Sequence, residues 1–292
     1  MPFLREKTGR WSPEKIAAFA IAIAPALWLA WLTASDQLGA RPITEATWFT
    51  GRWTVRLILL ALLVTPARRI LNWGKLVNSR RTFGVAASCY ALVHFALYII
   101  DQKYDLAKVS SEIVLRFYLT IGFTALIGLI ILGATSTDAA VRRLGAKWGA
   151  LHKAVYVIGI LAVVHFALQK KLDIYQPTLM MGFLAWLLAY RALYKWKREV
   201  ALPGLIGLAI FSTIFTALFE AVWYGLLTGV PMSRILALNF MFDIDIRPAW
   251  WVLAASIAVC VIYLIAQWLW PKQSARAKLQ PQIPQPLSSE IR

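Results

Sequence analysis

Apolar residues run along this chain in eight long blocks separated by short polar stretches. The blocks fall at about 16–34, 52–71, 82–100, 115–133, 149–168, 177–195, 203–228 and 249–270, each near the roughly 20 residues that a helix needs to cross a bilayer. A backbone in hydrocarbon must satisfy its own hydrogen bonds, so such blocks predict helices and not open sheets. The expected fold is all-α: a polytopic transmembrane bundle of about eight helices. The first block follows the basic stretch from Met1 to Lys15. It is long for a signal-peptide core and lacks a small-residue cleavage site, so it is expected to remain as an anchor.

Composition agrees with the pattern. Hydrophobic residues make up 60 % of the chain, well above the roughly 45–50 % of a soluble domain, and the mean hydropathy is +0.62. A net charge of +17 would ordinarily raise nucleic acid as a partner. Here the cations sit in short clusters between apolar blocks, which is how topology signals are distributed, and nucleic-acid binding is set aside. The N-terminal stretch, the second, fourth and sixth connections and the tail together hold 20 of the 31 Lys and Arg residues. These all fall on one side of an eight-span bundle. By the positive-inside rule that side is cytoplasmic, with both termini inside, and the connections carrying Asp101, Asp105, Glu112, Asp173, Asp243 and Asp245 face outward.

Histidine changes the picture most. The chain has three, His94, His152 and His165, and all lie in or at the ends of apolar blocks. A ligand-type side chain in hydrocarbon is costly and marks a candidate functional site. Imidazoles inside a helical bundle are a common grip on haem iron. The third and fifth helices are expected to run in the same direction. His94 sits about six residues from the outer end of one and His165 about three from the outer end of the other. At 1.5 Å per residue their levels differ by about 5 Å, so the pair can take the two faces of one haem in the outer leaflet. His152 lies about 20 Å below His165 with no histidine at its level. Thirteen residues at 100° each also put it about 140° around the helix from His165. A second haem there would need another ligand, unless the helix is distorted. An isolated membrane histidine more often bonds between helices or relays protons; the matched depth of His94 and His165 favours ligation.

Other residues add less. Cys89 and Cys260 stand alone in apolar blocks and offer neither a disulfide framework nor a metal motif. Many of the 14 tryptophans cluster near block ends as an aromatic belt. Arg56 and Arg116 begin the second and fourth helices and are candidates for haem propionates. Arg142, Arg143, Lys147 and Lys153 surround His152 and serve either propionates or topology. Glu220 lies inside the seventh block, where a carboxylate needs a partner, water, or a role in proton or quinone chemistry. No GxGxxG opens a nucleotide-binding unit, so electrons are expected from a separate molecule.

Four stretches in order carry a family resemblance. They are Thr50-Gly51-Arg52-Trp53 leading to Thr65-Pro66-Ala67-Arg68-Arg69; Arg80-Arg81-Thr82-Phe83-Gly84 leading to Tyr90-Ala91-Leu92-Val93-His94; Thr135-Ser136-Thr137 leading to Arg142-Arg143-Leu144-Gly145 and Trp148-Gly149-Ala150-Leu151-His152-Lys153-Ala154-Val155-Tyr156; and finally His165. Over about residues 45–195 the chain closely resembles the MsrQ (formerly YedZ) family of the ferric-reductase-like transmembrane superfamily. The resemblance implies a six-helix b-type cytochrome of the bacterial inner membrane. It would pass electrons from a cytoplasmic flavin reductase or the quinone pool to MsrP, a periplasmic molybdopterin enzyme that reduces oxidised methionine. It further implies haem b held by His94 and His165, with His152 as the further haem-linked histidine. FMN has been attributed to the family, but no residues here place it.

The division expected is a haem-binding core at 1–200, an added two-helix module at 201–271 beyond the family's core, and a disordered cytoplasmic tail at 272–292. Two other readings stay open on the residues alone: a stand-alone transmembrane ferric or quinone reductase, and a transporter using the three histidines for metal or protons.

Overall fold

A computed structural model describes residues 10–197, 199–242 and 245–269. The tail at 272–292, the first basic residues and Asp243 lie outside the described residues. Every regular element among those described is helical. Seven stretches are long and apolar enough to cross a membrane: Pro13–Ala34, Pro42–Ile70, Gly74–Asp101, Phe117–Ala134, Ala146–Lys170, Leu202–Thr228 and Pro248–Leu269. The protein is a multi-pass membrane protein.

Helix α1 (Pro13–Ala34) opens with proline in its first turn, where no N–H is needed. Helix α2 (Pro42–Ile70) begins the same way and is the most enclosed of the bundle. Leu57, Ile58 and Leu62 are 0–2 % exposed, because α1, α3 (Ser79–Asp101), α8 (Val155–Lys170) and α9 (Tyr175–Lys197) all pack on it. A helix that is apolar all round is a buried helix. Outer helices differ: α12 (Pro248–Leu269) leaves Ile257, Val261, Leu264 and Ile265 about half exposed, as lipid-facing residues should be.

The sixth expected span is α9. It is 23 residues long, about 34 Å at 1.5 Å per residue, yet it is not among the seven apolar stretches. Its polarity is permitted by its position, since α2, α8, α10 (Leu202–Thr228) and α12 surround it. Arg191 shows the effect: its guanidinium donates to the carbonyls of Leu187 on its own helix and Leu62 on α2.

Four short helices interrupt the blocks. Helix α4 (Leu106–Leu115) is capped by Asp105, whose side chain accepts from the N–H of Lys108 at 2.9 Å, and it leads through extended Arg116 into α5 (Phe117–Ala134). Helix α6 (Asp138–Leu144) is capped by Thr137. Helix α7 (Ala146–His152) ends two residues before α8 begins, so the fifth expected span is broken at Lys153–Ala154. Helix α11 (Met232–Leu238) lies between α10 and α12.

Helices α10 and α12 pack on each other and on α9. Gly182 of α9 makes the close approach possible: a Cβ there would meet Thr216 and Val252 side chains within 3 Å. Glu220, 2 % exposed, pairs with Arg247 at 3.2 Å, so the carboxylate expected to need a partner has one. Trp223 and Tyr224 donate to the carbonyls of Lys171 and Leu172 at 2.9 and 2.6 Å, tying α10 to the connection between α8 and α9.

Candidate functional site

Helices α2, α3, α5 and α8 close into a ring, each packed on the next. Between them, toward the α4 end, lies a cavity of about 430 Å³, within the roughly 300–1,000 Å³ usual for ligand sites. Its inner wall is apolar: Val55, Ala91, Phe95, Phe123, Leu126 and Ala162 are among the lining residues. No lining residue comes from α9 or beyond.

His94 on α3 and His165 on α8 both line this cavity. Their ring centroids stand 6.4 Å apart, with planes crossed at 82°. Each ring is fixed by one main-chain bond: Nδ1 of His94 donates to the carbonyl of Thr47 at 2.8 Å, and Nδ1 of His165 donates to the carbonyl of Tyr118 at 2.7 Å. A carbonyl can only accept, so each Nδ1 carries the proton. In a neutral ring Nε2 then presents a lone pair, which is the state of a metal-ligating histidine. The Tyr118 ring also stacks on His165 at 6.3 Å.

The separation fits one metal between two imidazoles. A metal–nitrogen bond of about 2.0–2.1 Å, with roughly 1.1 Å more from nitrogen to ring centre, sums to about 6.3 Å across the iron. The donor chemistry suits haem in particular, because axial imidazoles, apolar walls and cations at one edge are what a haem iron, macrocycle and propionates require. Arg52, Arg116 and Lys170 supply those cations on the cavity wall. Arg116 is held by Glu112 at 3.0 Å, Glu112 accepts from Tyr98 at 2.8 Å, and Lys170 lies 4.8 Å from the Trp48 ring centre. Arg56, expected beside the haem edge, does not line the cavity; its guanidinium rests 5.0 Å from the Trp53 ring. Arg52, one turn earlier, takes that place.

His152 is not brought to this pair. Its Nδ1 faces the carbonyl of Trp148 at 3.1 Å, its Nε2 approaches the Ser136 hydroxyl at 3.4 Å, and its ring stacks on Trp148 at 4.0 Å. The break after α7 separates its seam from that of His165, so the angular conflict in a straight helix is met by both distortion and divergence.

Comparison with known proteins places the chain in a family. The family described as "Ferric reductase like transmembrane component" matches residues 50–163, a span holding His94 and His152 and ending just before His165. The protein-methionine-sulfoxide reductase heme-binding subunit MsrQ of Xanthomonas campestris pv. campestris (strain 8004) is 41 % identical over 191 residues, covering 63 % of this chain and 86 % of the relative. The chain belongs to the MsrQ family. The MsrQ of Herminiimonas arsenicoxydans is 38 % identical over 197 residues, covering 66 % of this chain and 90 % of its own length. No solved structure matches. With about a third of this MsrQ-family chain outside those alignments, and the ferric-reductase match ending at residue 163, helices α9 to α12 lie beyond that match.

Sequence reasoning passed over Arg52, Lys170, Gly51 and Gly122. Arg52 and Gly51 stood in a quoted motif without a role. Gly122 lies four residues after Tyr118, as Gly51 lies four after Thr47, and that parallel was the available signal.

Proposed function

We propose that this protein is a b-type cytochrome subunit of a methionine-sulfoxide reductase system, carrying electrons across the bacterial inner membrane. The observation that carries the reading is the His94–His165 pair, with both Nδ1 atoms tied to carbonyls and the rings 6.4 Å apart. His94 and His165 would hold haem b from its two faces, and bound haem supplies the one-electron couple. Thr47 and Tyr118 fix the tautomer and orientation of the two rings and raise their basicity. Phe95, Phe123 and Leu126 exclude water from the pocket. Arg52, Arg116 and Lys170 compensate the charge of the propionates.

Within this reading the basic connections face the cytoplasm, both termini with them, so the cavity lies toward the periplasm. The acceptor is a periplasmic MsrP-like molybdopterin reductase, and the donor is a cytoplasmic flavin reductase or the membrane quinone pool. His152, at the arginine-rich end, assists electron entry, on a second haem or beside the donor. Residues 1–200 form the haem-binding core and 201–271 a peripheral module. FMN has no assigned residues. Among the described residues no three His, Cys, Asp or Glu side chains converge, and the two histidines meet as a pair, which favours haem over a transported metal.

The test is a pyridine haemochrome assay with protein quantitation on the purified protein and on His94→Ala and His165→Ala. Haem in the parent and its loss, or loss of the low-spin spectrum, in both variants supports the reading. Wild-type haem content and low-spin spectra in both variants refute it.

A further inference from the structure

The two halves of the site repeat each other. Residues 47, 51 and 94 supply a carbonyl, a glycine and a histidine, and residues 118, 122 and 165 supply the same three after a constant step of 71. In each half the first helix gives the carbonyl and glycine, α2 in one and α5 in the other. The second helix gives the histidine, α3 or α8. In an α-helix the carbonyl of residue i already accepts from the N–H of residue i+4. The Thr47 carbonyl therefore points along the helix at Gly51, and that of Tyr118 at Gly122. An imidazole that shares such a carbonyl must lie over residue i+4, where a side chain would normally stand.

The space at both glycines is filled by the ring itself. A Cβ at Gly51 would lie 2.9 Å from Cε1 and 3.0 Å from Nδ1 of His94, and a Cβ at Gly122 would lie 2.5 Å from Nδ1 and 2.6 Å from Cε1 of His165. Contacts below 3.0 Å force a shift. What must shift is the ring whose Nδ1 donates to the carbonyl.

We propose that Gly51 and Gly122 are positioning residues: each opens its helix face so that one imidazole can bond a main-chain carbonyl through Nδ1 and turn Nε2 toward a metal between the rings. This rests on the haem reading above. An alanine at either place pushes the ring outward and lengthens the Nδ1–H···O=C bond. The ring becomes less basic, so it stabilises ferric iron less and the midpoint potential rises. The loss of such an outer-shell bond costs about 10–100-fold in metal affinity.

Gly128 provides the control. It lies on α5 facing the same helix α8, and a Cβ there would meet Cδ1 and Cγ1 of Ile158 at 2.7 and 2.8 Å, an equally close contact that involves no histidine. The full-length protein is compared with Gly51→Ala, Gly122→Ala and Gly128→Ala. Readouts are haemin titration into apo-protein matched for helicity and monodispersity, redox titration, and the low-spin ferric EPR signal. The expected result is a 10–100-fold weaker haem affinity in the first two variants, or, where haem stays bound, a raised midpoint potential and a changed EPR signal. Gly128→Ala should match the parent. Gly51→Ala is relieved by a few tenths of an ångström and keeps the test open should Gly122→Ala fail to insert. The proposal is overturned if both glycine variants keep parental affinity, potential and EPR, or if Gly128→Ala changes as they do. A parent protein that binds no haem would instead overturn the proposed function.

Discussion

Arg247→Ala removes the charged partner, among the described residues, of a carboxylate buried between helices. Glu220 is 2 % exposed and its Oε1 lies 3.2 Å from the Arg247 guanidinium, whose side chain is 27 % exposed. At that distance the pair attracts by about 5 kcal/mol for an effective dielectric near 20. Breaking a buried pair from one side costs about 3–5 kcal/mol, because the remaining charge stays out of water. The partial exposure of Arg247 puts the expected loss near the lower figure, about 3 kcal/mol. Glu220 Oε2 accepts no other hydrogen bond among the described residues, so nothing nearby makes up the loss. Removing both charges, as in Glu220→Leu with Arg247→Met, should recover most of it, since well-packed apolar replacements of such pairs are near neutral. The assay is thermal denaturation in detergent, followed as loss of the monodisperse peak, for both single variants, the double and the parent. The reasoning is refuted if Arg247→Ala melts with the parent, or if the double variant is no more stable than the sum of the single losses.

Three further outcomes are expected. A chain ending near Glu199 should insert and keep the haem spectrum with lower thermal stability, since no cavity residue comes from α9 or beyond; loss of the spectrum in a monodisperse truncated protein would show that α10–α12 complete the pocket. His152→Ala should keep the low-spin spectrum of the His94–His165 site while slowing its reduction by a cytoplasmic flavin reductant, and an unchanged stopped-flow rate would leave His152 as packing against Trp148. Arg52→Ala should lower the haem midpoint potential by removing a cation from the cavity wall, whereas Arg56→Ala should not; redox titration of the two separates the residues, and equal shifts would contradict the assignment.

How far the sequence can be read depends on whether a feature is local. Helices α1, α3, α5, α8, α10 and α12 announce themselves as continuous apolar runs because lipid or apolar neighbours surround them. Helix α9 is less plain, because its polar residues are solvated by protein, as the bonds of Arg191 show. Short α4 and α11 escape the block pattern because each is too brief to show a period. Depth along a helix is legible from residue counts, and His94 and His165 do meet. A difference of one turn is not, since Arg52 and Arg56 share a face and differ by about 6 Å in level. The break at Lys153–Ala154 has no proline or paired glycine to signal it; just before it His152 bonds the Trp148 carbonyl of its own helix and reaches Ser136 beyond α5.

The mixed polarity of α9 bears on how the chain is made. A segment carrying Arg191, Lys195 and Lys197 among its apolar residues enters a bilayer less willingly than its neighbours when it leaves the insertion machinery alone. Among the described residues its guanidinium bonds carbonyls on α2 and on its own turn, and α10 and α12 cover its far side. Biogenesis then acquires an order: α2 and α8 must already stand in the membrane to receive α9, and α10 and α12 close over its far side afterwards. Mutations that loosen α2 or α8 would be felt as failed insertion of the helix that follows them.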